Sequence, residues 1–315
     1  YTEFEDSNIV INGSNQSNSL ISTFMSKLSN GSLNTTVDFE QGLMLLNSLL
    51  DVISAELQSD SLNFQQSGVE LESDSELEVD TDMRIVQSTL FSNSSIITVE
   101  DDIHSFESLF ELEDSTIEAN GTVQLERTEL VSTQSRIQFD ILKLNEADVT
   151  LAEGSSLNVR ILDFDEPITL TMDDDSTFSS QYVTGTEETL VNGGTFEAQS
   201  VRGDVVLTGN ANLSSYSVSR RVSLRGDLNI DNGSLTTYLF KDEKQSIDIN
   251  GTLKIASGNL IVKLEQSLLA SNSIKKGARF RLFEADQIVG TFDTIELPEL
   301  GDSMGWDISD LYKYG

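Results

Sequence analysis

The chain has 315 residues, and its 53 Asp and Glu against 19 Lys and Arg give a net charge of −34. A surface this negative repels nucleic acid phosphates and anionic lipid headgroups, which excludes both as partners. The sequence has no cysteine and a single histidine, His104, which excludes disulfides, thiolate metal sites and multi-histidine metal sites. No apolar run reaches the length of about 18 residues that a membrane-spanning helix requires.

The first 58 residues are interpreted as N-terminal coils or a cap. They are rich in Asn and Ser and contain one long apolar stretch, residues 42–57. Within it, Leu46, Leu50 and Ile53 lie at helical spacing and favour a helix that caps the first coil. The Val and Ile content of the same stretch also suits a buried pair of strands, and the two interpretations stay open here.

Residues 59–265 carry a repeat of about 20 residues. Apolar and polar residues alternate in short runs between turns of Asn, Asp, Gly and Ser, which is typical of strands with one buried face. A phrase of two small or acidic residues followed by an apolar one recurs at fixed intervals of 20, with its apolar residues at Leu77, Ile97, Ile117, Ile137 and Leu157. A second series runs out of phase with the first: Leu71, Leu90, Phe110, Leu130, Leu151, Leu170, Leu190, Leu207 and Leu228.

Two or three short strands per 20 residues predict an all-β fold, a single-stranded parallel β-helix. In such a solenoid the coils stack at about 4.8 Å and the apolar residues form interior ladders. The alternative is a β-sandwich, whose strands recur every 8–12 residues but which does not require four identical intervals of one phrase. We therefore predict a short solenoid rod with a C-terminal β cap.

The repeat dissolves after Leu264, and residues 266–315 are predicted to form a capping or assembly module. The alternating run 279–283 predicts a new strand. Trp306, the only tryptophan, is expected to join Phe292 and Tyr312 in an aromatic mini-core.

The tail also carries four phrases in order: Phe-x-Leu-Phe, Gly-x-Phe, Leu-Pro-x-Leu and Trp-Asp-x-Ser-x-Leu-Tyr-x-x-Gly. They fall at Phe280, Leu282, Phe283, Gly290, Phe292, Ile295, Leu297, Pro298, Leu300, Trp306, Asp307, Ser309, Leu311, Tyr312 and Gly315. This pattern resembles the C-terminal segment of secreted bacterial repeat proteins, including autotransporter passenger-type and pectin-lyase-like β-solenoids. The resemblance implies an extracellular or cell-surface location. It does not select an activity, because the module accompanies adhesins, structural proteins and glycan-active enzymes alike.

A search for catalytic residues finds no convincing set. The Gly-His-Gly phrase of polygalacturonase-like solenoids is absent, and His104 lies in an acidic run that suggests a surface turn. Pectate-lyase-like chemistry needs an arginine base, for which Arg136 and Arg160 are candidates. A protein of net charge −34 is poorly suited to gather a polyanionic sugar, however. We predict a protein that is not an enzyme and has no catalytic residue and no cofactor.

Acidic clusters suggest at most loosely bound Ca²⁺. Asp173, Asp174 and Asp175 are weak metal candidates, because carboxylates are the ligand type that Ca²⁺ prefers. They lack the spacing of an EF-hand or of a calcium-binding nonapeptide repeat. The acidic run 70–82, in which every second residue is Asp or Glu, is typical of the solvent face of a strand.

The sequence contains nine Asn-x-Ser/Thr sequons, which makes the chain a candidate glycoprotein. Asn-Gly also favours tight turns, so that part of this count has a structural origin. The candidate asparagines are Asn12, Asn15, Asn30, Asn34, Asn93, Asn120, Asn212, Asn232 and Asn250.

Charge is distributed unevenly along the chain. Residues 1–198 have 38 acidic and 6 basic residues, a net charge of −32, whereas residues 199–315 have 15 acidic and 13 basic residues, a net charge of −2. This contrast favours a head-to-tail contact between copies, and such interfaces produce filaments when they do not close. The candidate assembly residues are Arg220, Arg221, Arg225, Arg279, Arg281 and Trp306.

We therefore expect a non-catalytic extracellular rod, structural or adhesive, acting as a surface protein or filament subunit. Besides a second copy, surface glycans or other extracellular proteins are the expected partners. The alternative is a glycan-binding or glycan-cleaving solenoid of the pectin-lyase type.

Overall fold

The computed structural model describes residues 2–4, 9–10, 19–22, 25–29, 36–39, 42–47, 49–215, 221–239, 247–264, 274, 276–300 and 304–314. The chain forms two compact units, residues 1–160 and 161–315. Almost all described elements are β-strands, and a short helix, α1 (Leu311–Tyr314), lies near the C-terminus. Among the described residues no helix is long and apolar enough to cross a membrane.

The first unit contains twenty strands, which are short because a corner interrupts the chain every four or five residues. They are β1 (Thr2–Phe4), β2 (Ile9–Val10), β3 (Ser19–Ser22), β4 (Met25–Ser29), β5 (Thr36–Phe39), β6 (Leu43–Leu46), β7 (Leu49–Ile53), β8 (Glu56–Ser59), β9 (Leu62–Gln65), β10 (Gly68–Glu72), β11 (Glu76–Val79), β12 (Met83–Val86), β13 (Thr89–Asn93), β14 (Ile96–Val99), β15 (Ile103–Phe106), β16 (Leu109–Glu113), β17 (Thr116–Glu126), β18 (Glu129–Thr133), β19 (Arg136–Asn145) and β20 (Asp148–Ala152). Strand β21 (Ser156–Phe164) includes the boundary between the units.

The second unit has longer strands, several of which continue around a corner. They are β22 (Ile168–Met172), β23 (Thr177–Val183), β24 (Thr189–Asn192), β25 (Thr195–Arg202), β26 (Val205–Thr208), β27 (Asn212–Ser215), β28 (Val222–Arg225), β29 (Leu228–Leu239), β30 (Ile247–Leu264), β31 (Phe283–Gly290) and β32 (Thr294–Glu296).

Strand pairing defines the fold as a parallel β-solenoid. In the first unit a strand pairs with the third strand along the chain, as β7 does with β10 and β10 with β13, always in parallel. The second unit repeats the parallel pattern, for example between β24 and β26 and between β28 and β30. Parallel pairing across about one repeat excludes the sandwich, whose neighbouring strands are antiparallel. The predicted fold class is confirmed.

The interior is built from ladders of apolar residues. Leu77, Ile97, Ile117 and Ile137 occupy one register column and are fully buried. Each coil places the same position at about 4.8 Å from the last, so these side chains stack directly. The 20-residue series predicted from the sequence is therefore an interior ladder.

The second predicted series is partly wrong in register. The column that contains Leu90, Phe110 and Leu130 continues at Val69 and Val149, whereas Leu71 and Leu151 belong to the neighbouring column. Each of these strands carries two inward positions separated by two residues, and apolar residues occupy both in several coils. The series therefore moved between columns. In the second unit, Leu190 is only half-buried because its neighbours on either side point inward, and Leu228 pairs with Val205, not with Leu207.

The apolar stretch 42–57 forms strands β6, β7 and the start of β8, so the strand interpretation is correct and the helix is not present. Its burial alternates residue by residue, as in the following coils. Parallel hydrogen bonding to β9 and β10 stabilises the extended backbone, which outweighs the helical spacing of its leucines.

Serines line two corners of each coil in the first unit. At one corner Ser95, Ser115 and Ser135 are buried, and each hydroxyl donates to the carbonyl two residues earlier at 2.7–2.9 Å. The backbone N–H of the preceding coil's serine donates to the same hydroxyl, from Ser95 to Ser115 at 3.2 Å and from Ser115 to Ser135 at 3.0 Å. The recurring serine that marked the repeat in the sequence thus lies inside the corner.

The residue before each corner serine has a left-handed backbone. At the other serine corner these residues are Gln87, Glu107 and Arg127, with φ of 49°, 48° and 47°. A left-handed conformation costs a non-glycine residue about 1–2 kcal/mol. The following Ser88 and Ser108 hydroxyls close these corners by donating to the carbonyls of Val86 and Phe106 at 2.7 and 2.8 Å, respectively.

Candidate functional site

The last coil of the second unit is formed by the tail. Strand β31 pairs with β30 from Ile247↔Phe283 to Ile255↔Gly290, and β32 pairs with β30 around Leu260↔Ile295. Within the part of the chain that the structure describes, β31 and β32 pair with no strand other than β30. Each of these strands therefore has one edge without a strand partner.

The first coil of the first unit is similar in this respect. Strand β1 pairs with β4, β2 with β5 and β3 with β6, and the described residues provide no strand on the opposite edges of β1, β2 and β3. An unpaired parallel edge presents a row of N–H and C=O groups to a further strand.

Aromatic residues form a cap on the last coil. Phe283, Phe292 and Tyr312 are in contact in a row, with ring centroids 6.3 and 6.5 Å apart, and the Phe292 N–H donates to the Tyr312 hydroxyl at 3.0 Å. Trp306 does not contact this row by its ring. It packs edge-on against Phe280 at 6.2 Å, so the expectation that it joins Phe292 and Tyr312 is wrong.

The tail strand begins later than the alternation predicted. Residues 278–282 lie outside any strand, and β31 starts at Phe283. Here Phe280 packs on Trp306, and the Leu282 carbonyl accepts a hydrogen bond from the buried Thr237 hydroxyl at 3.0 Å. The Trp306 indole N–H is itself bonded to the Pro298 carbonyl at 2.7 Å. The alternating run therefore supplies the cap and not a ladder.

Exposed apolar side chains are concentrated in the tail. Of the five large apolar residues exposed in the described part of the chain, Val289, Met304 and Ile308 belong to the tail. Val289 is 46% exposed on the terminal strand β31. The other two are Ile96 and Tyr182.

The predicted assembly arginines are only partly grouped. Arg225 ends β28 and pairs in register with Arg202 at the end of β25, and both side chains are exposed. Arg221 is half-buried just before β28. Arg279 is exposed in the cap, and Arg281 forms an ion pair with Glu284 at 2.9 Å. Arg220 lies outside the described residues.

The three candidate calcium ligands, Asp173, Asp174 and Asp175, lie together on an exposed turn. The Asp173 carboxylate accepts a hydrogen bond from the Ser176 hydroxyl at 2.5 Å, and its carbonyl accepts the Ser176 N–H at 3.1 Å. The local role visible for Asp173 is therefore to close the turn. In the described ranges no group of three or more His, Asp or Glu side chains is arranged to hold a metal ion.

The residues considered for glycan cleavage do not converge on one point. Arg160 forms a two-pronged ion pair with Asp140 at 2.5 and 2.7 Å, which lowers the pKa of Asp140 through these hydrogen bonds. Arg136 lies four residues before Asp140 on β19, or about 13 Å along an extended strand. His104 is exposed on β15, with its Nε2 3.9 Å from the Asp102 carboxylate.

The corner around Arg127 was not identified from the sequence. The guanidinium bonds Glu107 at 2.8 Å and Glu146 at 3.1 Å, one coil on each side, and lies 5.1 Å from the Phe106 ring centroid. Hydrogen bonds from Gln87, the larger cause, and from Arg127 lower the pKa of Glu107. A shallow polar cleft of about 550 Å³ runs along this corner. The arrangement clamps three successive coils together.

The sequon asparagines differ in accessibility. Asn120, Asn232 and Asn250 are exposed, whereas Asn93 and Asn212 are half-buried. The Asn93 amide donates to Glu113 at 3.3 Å and the Asn212 side chain accepts from Thr236 at 2.8 Å. Asn12, Asn15, Asn30 and Asn34 lie outside the described residues.

No protein family, curated protein or solved structure matches the chain.

Proposed function

We propose that the chain is a non-catalytic structural or adhesive protein of the cell surface or extracellular space that assembles head-to-tail. The observation that carries the proposal is the pair of open edges. Strands β1–β3 at one end of the repeat and β31–β32 at the other each have an edge with no strand partner among the described residues. Parallel strand addition between copies would continue the ladder with the same hydrogen bonds that stack the coils.

Two further features support this proposal. Val289 adds exposed apolar surface on β31 itself, and apolar edge strands are sites of association. The net charge of −32 on residues 1–198 and of −2 on residues 199–315 favours contact between unlike ends of two copies over contact between like ends. The surface location rests on the resemblance of residues 277–315 to the C-terminal segments of secreted solenoids.

The test is to replace an apolar residue of the terminal strand by a charge and measure polymer length. Val289→Lys places a lysine on the edge strand, a device by which natural sheets prevent edge pairing. Electron micrographs and sedimentation velocity of the wild-type chain should show polymers, and the variant should remain short. Ile96→Lys is the matched control, because Ile96 is 48% exposed on β14, which is paired on both edges by β11 and β17.

Two results would reject the proposal. One is a wild-type chain that stays monomeric at every concentration and salt level. The other is equal polymer length for Val289→Lys and Ile96→Lys, because it would mean that the terminal strand has no special role.

A further inference from the structure

A tripeptide, Arg-Gly-Asp, occurs twice in the second unit, at residues 202–204 and 225–227, one coil apart at the same corner. The glycine has a packing role. A Cβ at Gly226 would overlap the backbone carbonyl of Gly203, and one at Gly203 would overlap the carbonyl of Glu187. Only glycine allows the backbones of successive coils to approach this closely.

The aspartate has a hydrogen-bonding role. Asp204 Oδ1 accepts the N–H of Asp227 at 2.7 Å, and Asp227 Oδ1 accepts the N–H of Thr252 at 2.8 Å. Asp227 also binds Lys254 at 3.1 Å. The backbone bond from Thr252 and then the Lys254 contact lower the pKa of Asp227. These aspartates therefore bond the corner of one coil to the next.

The two arginines have no comparable internal role. Arg202 and Arg225 are exposed, are direct register partners, and form no ion pair with a described carboxylate. Their Cα atoms are about 4.8 Å apart, as on any two neighbouring parallel strands. Like charges placed directly opposite each other destabilise a sheet, so a bound anion would relieve a repulsion that the isolated chain leaves uncompensated.

The corresponding corner of the first unit carries the opposite charge. The same hydrogen-bond chain runs there, since Asp82 Oδ1 accepts the N–H of Asp102 at 3.3 Å and Asp102 Oδ1 accepts the N–H of Thr122 at 2.6 Å. Counting two residues back from each of these aspartates gives Asp80 and Glu100, whereas the same step in the second unit gives Arg202 and Arg225. Asp80 and Glu100 are exposed.

We infer that the Arg202–Arg225 pair binds the Asp80 and Glu100 carboxylates of a second copy. Both pairs lie on neighbouring coils at the same corner position, so the two columns have the same spacing of about 4.8 Å. Guanidinium–carboxylate hydrogen bonds are charge-assisted and can be two-pronged, which makes them stronger than neutral ones. The inference extends the self-association proposed above, because this contact uses a corner of the coils and not the terminal edges.

The experiment is a charge swap on the full chain, read by sedimentation velocity at low and high salt. Arg202→Glu/Arg225→Glu and Asp80→Arg/Glu100→Arg should each weaken self-association at low salt by at least about tenfold. An equimolar mixture of the two variants should associate again, because each supplies the charge that the other has lost. The control is Lys263→Glu/Lys276→Glu, which changes two exposed lysines of the second unit and alters the net charge by the same amount as the arginine variant.

The outcomes separate this inference from the proposed function. If Val289→Lys shortens polymers but the arginine variant associates as the lysine control does, the corner contact is refuted and end-to-end assembly stands. If the mixture does not recover association, the pairing of these two columns is refuted. Unchanged far-UV circular dichroism checks that each variant is folded.

Discussion

The buried serine corner provides the sharpest test of how the coils are stabilised. Ser155 is fully buried and its hydroxyl makes three hydrogen bonds. It accepts the Ser135 N–H at 3.2 Å and the Ser132 hydroxyl at 3.1 Å, and it donates to the Ala152 carbonyl at 2.7 Å. Ser155→Ala therefore removes the acceptor of one buried N–H and one buried hydroxyl.

The magnitude follows from these lost partners. A buried donor left without its acceptor costs about 1–3 kcal/mol. The Ser132 hydroxyl can rotate to seek another acceptor, whereas the Ser135 N–H is fixed by the backbone. We therefore expect Ser155→Ala to lower the free energy of unfolding by about 2–4 kcal/mol. The adjacent Ser156 is half-buried, and its side chain makes no described hydrogen bond, so Ser156→Ala should change stability by less than about 0.5 kcal/mol.

Urea unfolding followed by far-UV circular dichroism gives the first comparison of these variants. Amide hydrogen exchange gives the second, because the Ser135 N–H should lose at least about tenfold of its protection for every 1.4 kcal/mol of local destabilisation. Equal stabilities of Ser155→Ala and Ser156→Ala, with an unchanged Ser135 exchange rate, would refute the view that buried hydroxyls hold the corners.

Three further predictions concern close packing and charge. Gly226→Ala should destabilise the second unit by at least about 1–3 kcal/mol in urea unfolding, because its Cβ has no space against the preceding coil; Gly305→Ala, with open space around it, should be neutral. Arg160→Gln should cost at most about 1 kcal/mol at pH 7, because the ion pair is exposed. The folded-state pKa of Asp140 is lowered, so this loss should vanish as the pH falls through that pKa, and a loss that persists in acid would contradict it. Glu70→Gln should stabilise the chain at neutral pH, because burial, followed by neighbouring carboxylates, raises the pKa of Glu70; the gain should disappear below the unfolded-state pKa, as thermal melts across pH would measure.

The interior of the solenoid could be predicted from the sequence because its geometry is periodic. Burial alternates every two residues within a strand and recurs at each coil, so Ile97 and Ile117 are visible in the sequence as members of one ladder. The exact column was harder to predict. Coil length varies, as the partner of Phe110 lies 20 residues on at Leu130 but that of Leu130 lies 19 on at Val149, and a fixed count then drifts.

The corners could not be predicted because their residues break local preferences. Glu107 and Arg127 adopt left-handed backbones that normally favour Gly or Asn, so nothing in their identity marks a corner. The Arg127 clamp needs Glu107 and Glu146 from the coils before and after it. Such contacts between coils depend on register, which becomes clear only when the ladder is built.

The tail illustrates a different limit. Alternation predicted a strand over residues 279–283, but side-chain docking of Phe280 on Trp306 replaces ladder pairing there. A period-two pattern states that alternate residues are buried, and it does not state what buries them. Only the packing partner decides between strand and cap.

The most direct test of head-to-tail assembly uses the absence of native cysteine. A chain with Glu3→Cys on β1 and Gln287→Cys on β31 is treated with a short bismaleimide and analysed on a denaturing gel. The account predicts a ladder of covalent dimers, trimers and longer species, absent when Glu3→Cys is instead combined with Gln138→Cys on β19. A product that stays monomeric, or ladders of equal intensity for both pairs, would contradict assembly through the open edges of the first and last coils.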